Sequence, residues 1–153
     1  MLNVPAYLQT PAFCGPACLR MVFAYYGIPI RESAIAIFAK SSREEGTSGE
    51  NMVKAACHFN FRARMVENTS LSKVSGYLRK NIPVIVNWWS SDDGHYSVVV
   101  GLSKTHILLR DPERKALHRI KRHVFERCWF DFKAGGLASR ARLILRRMIV
   151  IEK

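Results

Sequence analysis

Acidic residues are scarce in this chain: its 153 residues hold 12 Asp and Glu against 24 Lys and Arg, a formal charge of +12. Long apolar runs are missing too. The longest, around Pro83–Trp89 and Met148–Ile151, are strand-sized and fall well short of the roughly 18 residues a membrane span requires. Met1–Leu8 is short, contains Pro5 and shows no basic start leading into an apolar stretch, so no secretory signal is expected. The four cysteines, Cys14, Cys18, Cys57 and Cys128, are accordingly expected as reduced thiols in a cytoplasmic protein. There is no glycine-rich phosphate loop and no second Cys/His pair at zinc spacing, so neither a nucleotide cofactor nor a metal is implied.

The basic excess is uneven, because residues 110–153 carry 13 Lys/Arg against 5 Asp/Glu. A patch of that sign attracts nucleic acid, anionic membrane surfaces or acidic peptides without choosing among them. No zinc-finger spacing, RNP-type aromatic motif or basic-zipper pattern accompanies it. A nucleic-acid module in which Arg140, Arg142, Arg146 and Arg147 contact phosphates therefore ranks below a solvated, solubilising face.

What is present is enough for one domain over residues 1–153, which buries about two thirds of its unfolded surface. Gly15-Pro16 predicts a helix start, since proline is favoured at the first helical position; Ala17–Tyr26 is apolar on nearly every side, and Gly27 stops it. A short helix is expected over Glu32–Lys40. Thr47 and Glu50, three apart ahead of an apolar run, form a capping-box signature for a third helix over Gly49–Phe59, with Cys57 in the core. Alternation at Phe61–Val66 predicts a strand, and Leu71–Lys80 a last helix of the first half. Strands follow at Val84–Trp89, His95–Leu102 and His106–Asp111, joined by turn residues as hairpins. On the first of these Trp88 and Trp89 point to opposite faces. Beyond lie a short helix at His123–Trp129, a loop at Lys133–Ser139 and one strand over Arg142–Ile151. Helices first and strands second make an α+β fold, a helical lobe of about residues 1–80 packed on an antiparallel β-rich lobe of about 81–153.

Cys14 sits at the predicted helix start, where free backbone N–H groups and the positive end of the helix dipole favour thiolate. Such a nucleophile needs an imidazole, itself oriented by a third group. Of five histidines, His58 and His106 fall at element ends, and His118 and His123 in the basic stretch KALHRIKRH are expected at the surface. His95 opens an apolar strand. If that strand and the next form a hairpin around Ser103-Lys104, His95 comes close to Asp111, which precedes Pro112. Gln9, five residues before Cys14, offers an amide to an oxyanion. Cys14 and Cys18 have three residues between them rather than two, which argues against a thioredoxin-type redox pair.

The words CGPACLRMVFAYYG (Cys14–Gly27), GTS (Gly46–Ser48), GHYSVVVGL (Gly94–Leu102) and Asp111-Pro112, in the order Gln, Cys, His, Asp, resemble the bacteriocin-processing, double-glycine leader peptidases of the papain-like clan and their stand-alone relatives. The resemblance spans about residues 4–131. It implies a papain-like two-lobe fold and a cysteine peptidase cutting after a small residue, plausibly Gly-Gly. It also implies Cys14 as nucleophile, His95 as base and acid, Asp111 as orienter, and Gln9 with the Cys14 backbone N–H as oxyanion hole. An acidic leader peptide would suit so basic a chain. Two features depart from the pattern: Phe13 precedes Cys14, and the Gln9–Cys14 loop is one residue shorter. The competing readings are a non-catalytic papain-like domain that binds a peptide or partner protein, and the same triad working as a transferase or amidase.

Overall fold

The computed structural model describes residues 1–133 and 143–153. Among these, six strands form one antiparallel sheet: β1 (Arg62–Val66), β2 (Val84–Ser90), β3 (Asp93–Leu102), β4 (His106–Arg110), β5 (His118–Lys121) and β8 (Arg147–Glu152). Their order is β1-β8-β2-β3-β4-β5. A small second sheet pairs β6 (Phe130–Phe132) with β7 (Leu143–Leu145). Five helices complete the set: α1 (Cys14–Tyr25), α2 (Glu32–Phe38), α3 (Gly49–His58), α4 (Leu71–Arg79) and α5 (Arg122–Cys128). The α+β architecture expected from the sequence, helices packed on an antiparallel sheet, is the one observed.

Alternation along the central strands divides the core in two. Ile85, Tyr96, Val98, Val100, Ile149 and Ile151 face the first helices, packing with Leu19, Phe23 and Met52. Their neighbours Val84, Val86, Val99, Met148 and Val150 face the other way, toward Leu71 and Val74 of α4 and Phe125 of α5. The sheet is thus covered on both sides. β1 and α4, which precede residue 81, belong with the sheet: β1 is its edge strand beside β8, and α4 covers its far face.

Three local expectations change. The strand expected over Arg142–Ile151 breaks at Arg146, which takes a left-handed conformation (φ 45°) and donates its N–H to the Trp129 carbonyl (3.0 Å); β7 and β8 therefore serve different sheets. Cys57 is exposed rather than core, because α3 buries Met52, Ala55 and Ala56 and the next residue turns about 100° away from that face. Arg147 is buried, at 2% exposure, and paired with Glu67 (2.6 Å), so it is not offered to phosphates. Arg146 is exposed. Arg140, Arg142 and the Lys133–Ser139 loop beyond its first residue lie outside the described residues.

Candidate active site

α1 begins at Cys14 itself, and its N-cap residue Phe13 makes no side-chain cap, so the N-cap side chain satisfies none of the first-turn N–H groups. Gly15 lets the 46–48 loop close on the helix: a Cβ there would lie 3.0 Å from Thr47 Cβ. One turn on, Cys18 is fully buried. Burial pushes its thiol well up, with Cys14 and Asp111 adding to the effect, which leaves it a core residue.

His95 and Asp111 meet through the β3–β4 hairpin, and a bulge makes the meeting possible. The register shifts by one between Val99 and Gly101. Beyond the bulge Val98 pairs with Arg110, so the next step sets Asp111 beside Ser97, on the face shared with His95 two residues away. Without the shift Asp111 would stand against Val98 and face away from His95. The result is a 2.8 Å hydrogen bond from His95 Nε2 to Asp111 Oδ1, with the two residues 5% and 2% exposed. On its other side the His95 imidazole has Cys14 as the neighbour whose thiol also raises it.

These contacts set the charges. Burial lowers the basicity of His95, but the hydrogen bond to Asp111 and then the hydrogen bond and charge of Cys14 outweigh it and raise the imidazole to about 10. Burial works against the Asp111 carboxylate too, yet the His95 hydrogen bond and charge, the Glu113 N–H (3.0 Å) and the His118 hydrogen bond hold it at about 2. The imidazole is therefore a cation, and the carboxylate an anion, at neutral pH.

A cleft of about 670 Å³ opens over Cys14 and His95, with Gln9 on its wall. The N-terminal segment that carries Gln9 is strapped to the hairpin by Leu2 N–H to Val100 O (2.7 Å), Arg110 Nε to Val4 O (3.0 Å) and Gln9 N–H to Pro112 O (2.9 Å). Between Gln9 and Cys14, Ala12 takes a left-handed φ of 71°, costing about 1–2 kcal/mol, and the shorter loop still brings both residues to one cleft. Gln9 Oε1 is buried without a partner among the described residues. The structure thus brings together all four residues singled out from the sequence.

Two features were not foreseen. His118, expected at the surface, is only 18% exposed and bonds its Nδ1 to Asp111 Oδ2 (3.0 Å); the signal was the β4–β5 hairpin, which pairs Leu109 with His118. The cleft is also acidic in a basic protein, for Glu44, Glu45, Asp92, Asp93, Glu113 and Asp131 line it against Arg43 and Lys133. Asp131 accepts from Asn87 Nδ2 (2.7 Å) and Phe132 N–H (2.7 Å). Burial nonetheless pushes its carboxyl up. Its carboxylate occupies the space a side chain at Gly94 would need. Gly94→Ala is therefore expected to displace the strand just before His95 and lower kcat/KM about 100-fold, measured on the peptide substrate described below.

A helix-borne thiol beside a strand-borne imidazole and carboxylate, on this mixed helix and sheet architecture, is the arrangement of the papain-like cysteine peptidases. The chain belongs to the Peptidase C39 family, whose model matches residues 7–133. It is 35% identical over 116 residues to an uncharacterized protein of Methanothermobacter thermautotrophicus, covering 74% of each chain. To the pediocin PA-1 transport/processing ATP-binding protein PedD of Pediococcus acidilactici it is 31% identical over 101 residues, 65% of this chain but only 14% of that protein. Solved structures of similar fold include the peptidase domain of Streptococcus ComA, a bi-functional ABC transporter (TM-score 0.74, 21% identity, 99% of this chain and 98% of that one). Another is a double glycine motif protease from an AMS/PCAT transporter in complex with its leader peptide (TM-score 0.71, 21% identity, 99% and 92%). No helix among the described residues is long and apolar enough to cross a membrane.

Proposed function

We propose that this cysteine peptidase cleaves a peptide or leader after a small residue, with Gly-Gly preferred, through Cys14, His95 and Asp111. The observation that carries the reading is the buried His95 imidazole, bonded to Asp111 and sharing one open cleft with Cys14. Cys14 Sγ attacks the scissile carbonyl, and the oxyanion is held by the Cys14 backbone N–H and the Gln9 amide. The imidazolium of His95 gives its proton to the leaving amine as the C–N bond breaks, leaving a thioester. His95 then takes a proton from water, which attacks the thioester, and the acid product leaves as the thiolate returns. Asp111 keeps the ring oriented throughout.

The leader-bound double glycine protease of similar fold supports the substrate class, and the relation to PedD supports a processing role. A thiol within hydrogen-bonding reach of an imidazole favours an enzyme over a binding-only domain. The acidic rim favours neutral or basic residues beside the cut bond, while basic surface outside the cleft suits an acidic leader. The test is mass spectrometry of a synthetic double-glycine leader peptide incubated with the protein. Cleavage after the second glycine, lost when that glycine becomes valine, is expected. An intact peptide, together with no covalent adduct from the matching peptide aldehyde, overturns the reading.

A further inference from the structure

Asp111 is held at both oxygens, and by two histidines. Oδ1 receives His95 Nε2 (2.8 Å) and the Glu113 N–H (3.0 Å), while Oδ2 receives His118 Nδ1 (3.0 Å). The one other cation near Oδ2 among the described residues is the Arg114 guanidinium, 4.0 Å away on a side chain 60% exposed. The indole of Trp88 stands 6.0 Å from both imidazole rings, edge-on to His95 and tilted to His118. Its Nε1 donates to Ser97 Oγ (3.1 Å), which fixes the ring beside the pair.

A carboxylate bonded at one oxygen is free to turn about its Cβ–Cγ bond. Bonded at both, its plane is fixed. We propose that His118 is a positioning residue of the peptidase site: it clamps the Asp111 carboxylate from β5 so that Oδ1 stays aimed at His95 Nε2. The proposal rests on the Cys14–His95–Asp111 mechanism above and extends it by one imidazole. His118 donates from Nδ1 as the neutral tautomer or as imidazolium, so the clamp needs a donor and not a charge. Around the shared carboxylate the other titratable groups are Cys14, Cys18, His95, Glu113 and Arg114, and none of these reaches Oδ2 within 3.5 Å among the described residues.

The test compares the full chain with His118→Leu, which removes the donor, and His118→Asn, whose side-chain amide stands near the place of Nδ1. Histidine NMR follows the His95 titration without any substrate, and peptide cleavage gives kcat and KM. For His118→Leu, kcat is expected to fall about ten-fold with KM within two-fold of the parent. The His95 titration should move to lower pH, because a wandering carboxylate supports the imidazolium less. His118→Asn should recover both. An unchanged His95 titration in a folded His118→Leu protein overturns the clamp, and so does an equal loss in both variants, which marks packing as the cause. If the parent itself cuts no peptide, the titration arm still decides the clamp, and the missing cleavage counts against the proposed function alone.

Discussion

Replacing Cys14 by alanine is expected to abolish turnover and leave the fold intact. The side chain is half-buried at the first residue of α1, where the sulfur packs at the border of the first core and carries no cap. Its loss should cost about 1 kcal/mol or less. In the proposed mechanism it is the only atom that bonds to the substrate, so kcat should fall about 10⁵-fold or more. A second readout separates this from simple loss of structure. The hydrogen bond and charge of Cys14 are among the contributions that raise His95; without them the imidazole must titrate below about 10, with its bond to Asp111 still in place. Histidine NMR of the variant shows this directly. A Cys14→Ala protein that cuts a double-glycine leader as fast as the parent would remove the mechanism.

Much of that site could be read from the chain, for reasons particular to each piece. Gly15-Pro16 marks the start of α1 through the proline's missing N–H, and this places Cys14. Ser103-Lys104, between two β-rich runs, marks the hairpin that puts His95 near Asp111. The sequence does not carry the step that makes the hairpin work, the bulge between Val99 and Gly101. A bulge is one unpaired residue, and in a run as uniformly apolar as SVVVGL no alternation betrays it. Nor was the middle place of β8, between β1 and β2, legible, because antiparallel pairing across the whole chain length leaves no local mark. His118 was hidden by its neighbours: set among Arg119, Lys121 and Arg122, it looks like surface until β5 is paired with β4. The acidic cleft is likewise assembled from segments far apart in the chain, each with only one or two acids.

Asp111→Ala is the other change with a large expected effect, and its pH dependence has a definite sign. In the folded parent the carboxylate titrates near 2, below its ordinary 3.8, so its stabilisation is present above about pH 4 and is lost as pH falls through 2. His95 is the opposite case. Raised from 6.5 to about 10, it stabilises the fold below pH 6.5, and that contribution disappears as pH rises through 10. The two share one hydrogen bond, and the His95 shift also includes Cys14, so counting from the carboxylate gives about 2 kcal/mol. Urea unfolding should therefore show the parent about 2 kcal/mol more stable than Asp111→Ala between pH 4 and 6.5, with the gap closing on either side. Cleavage should fall about 10⁴-fold at neutral pH, because His95 loses the group that orients its ring and sustains its charge. The alkaline limb of kcat/KM, near pH 10 in the parent, should move downward in whatever activity remains. A stability gap that widened toward alkaline pH would mean that the His95–Asp111 bond is not what holds the imidazolium in place.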